Sequence, residues 1–207
     1  MQDILKHLGI ANEPVEIIVT TYFKLPNAAP MGIEYENQKL IFHIYKETNT
    51  YKNLIANKAG VVNITRNLII FANAALKKPF QLNEFEHADI VNAPRLKAAN
   101  GFIEFIPTDF FDYVKKDDLG ESEISKVEAK IEKVHVKNSV PALKRNTSPS
   151  LETIILATKL QVALKRNKEN LAKDFKNRLR EIIIEAKNLP SEEEAAEYIE
   201  KIIQEYL

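Results

Sequence analysis

From Ser125 to Lys137 apolar and polar residues alternate, and the alternation changes phase partway along. The set Val127, Ala129, Ile131 gives way to Val134, Val136, with the step at Glu132-Lys133. Successive side chains on a strand point to opposite faces, so an apolar face survives such a step if an extra residue is absorbed in a β-bulge. Bulges bend strands, and bent long strands let a small sheet close on itself. This strand therefore predicts a barrel in preference to an open sheet.

Shorter runs supply its neighbours. Val15 to Thr21 is β-branched, Met31 to Tyr35 and Leu40 to Tyr45 flank the polar turn Glu36-Asn37-Gln38-Lys39, and Gly60 to Thr65 and Phe102 to Ile106 are further apolar strands. Lys116-Asp117-Asp118-Leu119-Gly120 has the composition of a turn. Two short helices are predicted between strands, Tyr51 to Lys58 and Leu68 to Lys77. The predicted class is mainly β with α (α+β).

After Asn138 the period becomes helical. Pro141, Asn146, Thr147, Ser148 and Pro149 read as a linker, and Ser148 followed by Pro149 predicts an N-cap with proline at the first helical position, opening a helix through Lys165. A second helix is expected over Lys168 to Asn188. A third follows Pro190, with Ser191 and Glu194 as a capping box, and continues to the end. Residues 1–140 and 141–207 thus read as a barrel domain and a helical C-terminal subdomain.

Composition excludes several kinds of chemistry. Formal net charge is zero, without the basic surplus of a nucleic-acid binder. No apolar run approaches the ~20 residues of a membrane span, and the opening Met1-Gln2-Asp3-Ile4-Leu5-Lys6 lacks the plan of a signal peptide, so a cytoplasmic location is expected. There are no cysteines, which removes disulfides, zinc–cysteine sites and thiol catalysis. The four histidines, 7, 43, 87 and 135, show no metal-ligand spacing, and no metal site is expected. His43 shares a strand face with Tyr45 and is a minor candidate for ligand contact.

The polar residues gather instead at the ends of apolar runs. Thr48-Asn49-Thr50 falls between a strand and a helix, where free backbone donors and hydroxyls converge, and Lys46 can add a full charge. That pattern suits an anion; it equally suits an ordinary helix cap. The five glycines, 9, 32, 60, 101 and 120, are too dispersed for a phosphate loop. In Leu25-Pro26-Asn27-Ala28-Ala29-Pro30-Met31-Gly32 the small side chains would let a flat ring approach the backbone, or else the alanines fill a crowded core at a strand connection. A flavin phosphate is the ligand this pattern favours over a catalytic triad or a metal.

The combination Val19-Thr20-Thr21, Asn27-Ala28-Ala29-Pro30-Met31-Gly32, Thr50-Tyr51-x-Asn53-Leu54 and Val61-Val62-Asn63-Ile64-Thr65 resembles the uncharacterised DUF447 family, largely archaeal, within the FMN-binding split-barrel superfamily of flavin reductases and pyridoxamine-phosphate oxidases. The resemblance implies a six-stranded split β-barrel, FMN at a homodimer interface, and a helical C-terminal region. It places the ring near Thr20, Thr21, Asn27, Ala28 and Ala29, and the phosphate near Lys46, Thr48, Asn49, Thr50 and Asn53. Asn63 and Thr65 would line the neighbouring strand end. Two positions depart from the family pattern: Arg66-Asn67 stand where acidic residues are usual, and Lys144 where an Asn precedes Arg145.

Flavin carries hydride and electron chemistry itself, so the lack of an acid–base pair neither argues for an enzyme nor against one. The leading expectation is an FMN-dependent oxidoreductase of unknown substrate, with catalytic residues unassigned. The alternatives are a non-catalytic flavin-binding or interaction module and, third, a structural barrel.

Overall fold

The computed structural model describes residues 2–10, 13–76, 80–138 and 140–206. Two compact units emerge, one of Met1–Arg66, Phe80–Lys115 and Ser122–Lys144, the other of Asn67–Pro79, Lys116–Glu121 and Arg145–Leu207.

The first unit begins with a short helix, α1 (Gln2–His7), followed by β1 (Val15–Phe23), β2 (Leu25–Glu36), β3 (Lys39–Tyr45), α2 (Asn49–Asn57) and β4 (Gly60–Ile64). A two-stranded sheet of β5 (Phe85–His87) and β6 (Pro94–Leu96) comes next, and then the long strands β7 (Gly101–Asp117) and β8 (Gly120–Val136), except for their joining tip Lys116–Glu121, which belongs to the second unit. Six strands close in the order β1-β2-β3-β8-β7-β4, with antiparallel pairing, while β5 and β6 pair apart from them. The barrel expected from the phase shift in β8 is present: Val127, Ala129 and Ile131 are buried in its core, and Val134 and Val136 pack against that core from the other phase.

Ile17, Val19, Ile33, Leu40, Phe42, Val62, Ile64, Ile103 and Phe105 fill the interior. Helix α1 was not predicted, being too short to show a period, yet Leu5, Leu8 and Ile10 around it are fully buried in the same core. Ala142 joins them through its N–H to the Leu8 carbonyl, and Glu16 bridges to Leu143, so the proline-bearing stretch after β8 lies along the barrel. Strand β7 runs eleven residues past the predicted Ile106, through Pro107 and a largely exposed second half.

Strand β2 pairs with β1 over Leu25–Ile33, Val15↔Ile33 to Phe23↔Leu25, and with β3 only over Ile33–Glu36. Leu25–Gly32 therefore has no strand on its other side among the described residues. The turn joining β2 to β3 is Asn37-Gln38, both left-handed (φ 49° and 65°), the two-residue hairpin whose twist matches its strands.

In the second unit, α3 (Leu68–Ala75), α4 (Pro149–Lys165), α5 (Glu169–Lys187) and α6 (Glu193–Tyr206) pack on one another. The predicted Lys77 end of α3 lies outside the described residues, as does Leu207 at the end of α6. Ser148 caps α4, its hydroxyl accepting from Leu151 N (3.1 Å), with Pro149 at the first helical position as the sequence predicts. The Ser191/Glu194 capping box is corrected. Helix α6 starts at Glu193 because the N–H groups of Glu192 and Glu193 turn back to the Leu189 carbonyl, and the Glu192 carboxylate accepts instead from Ser150 N in the first turn of α4 (2.8 Å). Of the two departures from the family pattern, Asn67 caps α3 through Ile69 N and Ile70 N, and Lys144 pairs with Glu13 (2.6 Å).

Gly60 sits beneath the Phe105 ring, which packs 4.9 Å from Phe42 at the barrel centre, and a Cβ at Gly60 would overlap that ring. Gly60→Ala is expected to lower stability by about 1–3 kcal/mol through overpacking, read as a lower urea midpoint with unchanged slope. An unchanged midpoint would mean that the ring is free to move aside.

Candidate functional site

Thr20 and Thr21 are neighbours on β1 and so face opposite ways. Thr21 shares its face with the core residues Ile17 and Val19. Its hydroxyl accepts from Asn53 Nδ2 (3.0 Å) and, at longer range, from Asn27 Nδ2 (3.5 Å). Asn27 also donates to Thr50 Oγ1 (3.0 Å). Thr21, Thr50 and Asn53 are buried. These four side chains tie the start of α2 to the β1–β2 hairpin.

Thr20 belongs to a second group. It donates to the carbonyl of Pro94 (2.5 Å), and Asn63 Nδ2 donates to Thr20 Oγ1 (2.9 Å) and to the carbonyls of Ile18 (3.1 Å) and Val61 (3.2 Å). Asn63 Oδ1 accepts from Leu96 N (2.7 Å). Both ends of the amide are engaged, and the pair clamps β6 to the outer face of the barrel. Thr65 follows β4 and is buried. The structure thus brings Thr21, Asn27, Thr50 and Asn53 together and sets Thr20 and Asn63 apart from them.

Around the start of α2 the polar residues divide the work. Thr48 is the N-cap, accepting from Tyr51 N (3.3 Å) and donating to the Tyr45 carbonyl (2.7 Å), so the capping alternative describes this residue. Asn49 is exposed in the first turn. Lys46, at the end of β3, extends its ammonium to within 2.5 Å of Asp112 Oδ2 and 3.7 Å of Glu123 Oε2, and 6.0 Å from the Tyr51 ring. The bond to Asp112 raises the Lys46 pKa above its ordinary value, and the Lys46 ammonium holds the Asp112 carboxyl below the usual range. His43 is exposed, its Nδ1 2.9 Å from the Tyr113 hydroxyl.

Ala28 and Ala29 sit within β2, on the stretch that no strand covers among the described residues. In a two-residue hairpin the pair flanking the turn, here Glu36 and Lys39, exchanges both backbone bonds, so the even-numbered residues of β2 direct their N–H and C=O groups toward the β3 side. Pro26 and Pro30 are both even-numbered, placing the two residues without an N–H on the edge where no strand would accept one. Ala28 and Gly32 keep theirs. The result is a short backbone edge with the N–H groups of Ala28 and Gly32 and the carbonyls of Pro26, Ala28 and Pro30, lined by small side chains, beside α2, which packs against β1, β2 and β3. A planar ligand with donors and acceptors on one edge can pair with that backbone, and an anion can meet Lys46 and the first-turn N–H groups of α2.

Sequence reasoning misses Asp112 and Glu123, because the residue pattern ends β7 at Ile106 and leaves the partner of Lys46 unplaced. It also misses Glu104, a buried carboxylate on β7 that accepts from the N–H groups of Asp89 (2.9 Å), Ile90 (2.7 Å) and Val91 (3.0 Å). A lone charge inside Phe102-Ile103-Glu104-Phe105 was the available signal. Among the described residues no group of His, Asp or Glu could hold a metal ion, and no helix is long and apolar enough to cross a membrane.

Comparison with solved structures gives the same architecture. An FMN-bound DUF447 protein from Methanosarcina mazei is similar over 96% of this chain and 99% of its own, with 22% identity and a TM-score of 0.68, which establishes the split-barrel fold. The 2-nitrobenzoate 2-nitroreductase of Pseudomonas fluorescens is similar over 66% of this chain and 71% of its own, at 19% identity and a TM-score of 0.49, too distant to bear on function. The model of the family described as protein of unknown function (DUF447), N-terminal domain, matches residues 15–138 of the 207. This chain belongs to the DUF447 family.

Proposed function

We propose that the chain is a cytoplasmic FMN-binding flavoprotein, a homodimer with FMN at the subunit interface, that serves as an oxidoreductase. The observation that carries the reading is the uncovered edge of β2 beside the start of α2, with Lys46 in the short connection that leads from β3 into that helix. The FMN-bound state of the Methanosarcina mazei protein, which shares the fold, supports it.

The donor set fits the cofactor. The phosphate carries close to two negative charges above pH ~6 and needs a cation with several N–H groups; Lys46, Asn49 and the first turn of α2 supply them. The pyrimidine edge of the ring needs alternating donors and acceptors, which Ala28 and Gly32 offer with almost no side chain in the way. Thr21, Asn27, Thr50 and Asn53 hold α2 against β1 and β2 and so fix the spacing between the phosphate end and the ring end. FMN would supply the hydride and electron chemistry. Large apolar side chains stand exposed at the β1–β2 tip, Phe23 at 53% and Leu25 at 68%, and such surface beside the site is what a second subunit would cover.

Purified protein is expected to show a flavin absorption spectrum or to acquire one with added FMN, and its bound flavin to be reduced by a nicotinamide donor faster than free FMN. A colourless protein that takes up no FMN would remove the proposal; bound flavin that no donor reduces would leave a flavin carrier.

Lys46→Ala is expected to weaken FMN binding about tenfold while leaving riboflavin affinity unchanged, since only the phosphate uses that charge. Equal loss for both ligands in a fluorescence titration would move the phosphate elsewhere. For wild type, FMN affinity should rise from pH 5 to 7 as the phosphate loses its second proton and then stay level to pH 9. The Lys46 pKa is raised, so its charge is present throughout that window and lost only above its ordinary range. A decline between pH 7 and 9 would mean that another group supplies the charge.

A further inference from the structure

Lys46 stands at the end of β3, immediately before α2, yet its ammonium is already matched by Asp112 from β7 at 2.5 Å and Glu123 from β8 at 3.7 Å. Resting on the phosphate assignment above, we infer that Asp112 is a built-in competitor for the cofactor phosphate: its carboxylate occupies Lys46 until a stronger anion displaces it, and so sets how strongly the site favours phosphorylated over unphosphorylated ligands.

Three observations lead there. The pair joins different strands, so its partners can separate by side-chain rotation with the barrel unchanged. The Asp112 side chain is 48% exposed, which leaves it room to turn toward water. Lys46, at 28% exposure, stays beside the Tyr51 ring, itself set edge-on to Phe110 (6.1 Å), so the cation keeps its place when its partner leaves. An exposed ion pair contributes at most ~1 kcal/mol to folding, which makes a purely structural purpose for this one weak.

Charge decides the exchange. A phosphate of nearly two charges outbids a single carboxylate for the same ammonium, whereas neutral riboflavin has nothing to offer Lys46. Because Lys46 keeps Asp112 ionised below the usual carboxylate range, protonation does not release the pair near neutral pH, and an incoming anion must do so. Once displaced, Asp112 remains near the phosphate as a like charge. It therefore lowers phosphate affinity in both states.

The test is a flavin-fluorescence titration of the full chain with FMN and with riboflavin at low salt, in wild type, Asp112→Asn and Lys46→Ala. Asp112→Asn is expected to bind FMN about threefold to tenfold more tightly, with riboflavin unchanged and the gain shrinking as salt is added. Glu123→Gln should give a smaller gain, its carboxylate being farther away. FMN affinity unchanged or lowered in Asp112→Asn overturns the inference. Lys46→Ala separates the two layers: if it leaves FMN binding intact, the phosphate assignment itself fails, and if it weakens binding while Asp112→Asn brings no gain, only the competitor role fails. Should circular dichroism show Asp112→Asn to be misfolded, Asp112→Ser removes the same charge and carries the same expectation.

Discussion

The parting of β2 from β3 beyond Ile33 is the constraint on which the site depends. A strand edge with unpaired backbone groups is a liability for a folded chain, because each N–H and C=O needs water or a partner. Here the edge is blunted by two prolines at the positions facing the gap, and α2 packs beside it. What remains open is confined to Ala28, Gly32 and a few carbonyls. An edge trimmed this way resists strand addition while still offering hydrogen bonds to a small planar ligand.

The rest of the barrel unit keeps that edge in place. Residues Leu25–Ile33 of β2 are held along β1 from Val15↔Ile33 to Phe23↔Leu25, and β1 is anchored on its other side by β4. On the outer face, Thr20 and Asn63 fasten β6, and Glu104 gathers three consecutive N–H groups of the segment between β5 and β6. Asn57 and Asn92 exchange bonds between the end of α2 and that same segment, so α2 is secured at both ends, by Thr21 and Asn27 near its start and by Asn92 at its finish. For the buried members, Thr20, Thr21, Asn53 and Asn63, leaving a polar group unpaired costs about 1–3 kcal/mol, so these bonds hold their elements firmly.

Much of this was legible in the residues. The phase shift in β8 announced a closed sheet, the Ser148-Pro149 signal placed the start of α4, and the clustering of Thr and Asn at strand ends marked the polar junctions around α2. What the sequence could not show was which way each side chain points once its strand is in register. Thr20 and Thr21 read as one motif but lie on opposite faces, and Thr48, Asn49 and Thr50 read as one anion loop but serve as a cap, an exposed side chain and a buried brace. The outer half of β7 escaped because Pro107 interrupts the alternation and because Phe110, Phe111 and Tyr113 are not segregated by burial into two clean faces. The carboxylates facing Lys46 come from strands about seventy residues away, a relation that local pattern does not encode.

The most direct test of the account follows the backbone amides of Ala28 and Gly32 by hydrogen exchange, with and without FMN, in assigned spectra of the purified protein. The account expects both amides to exchange readily in the free protein and to become protected when flavin binds, with the odd-numbered amides from Asn27 to Ile33, already bonded to β1, changing little. Flavin bound with Ala28 and Gly32 still exchanging as in the free protein would contradict it and place the ring away from the β2 edge.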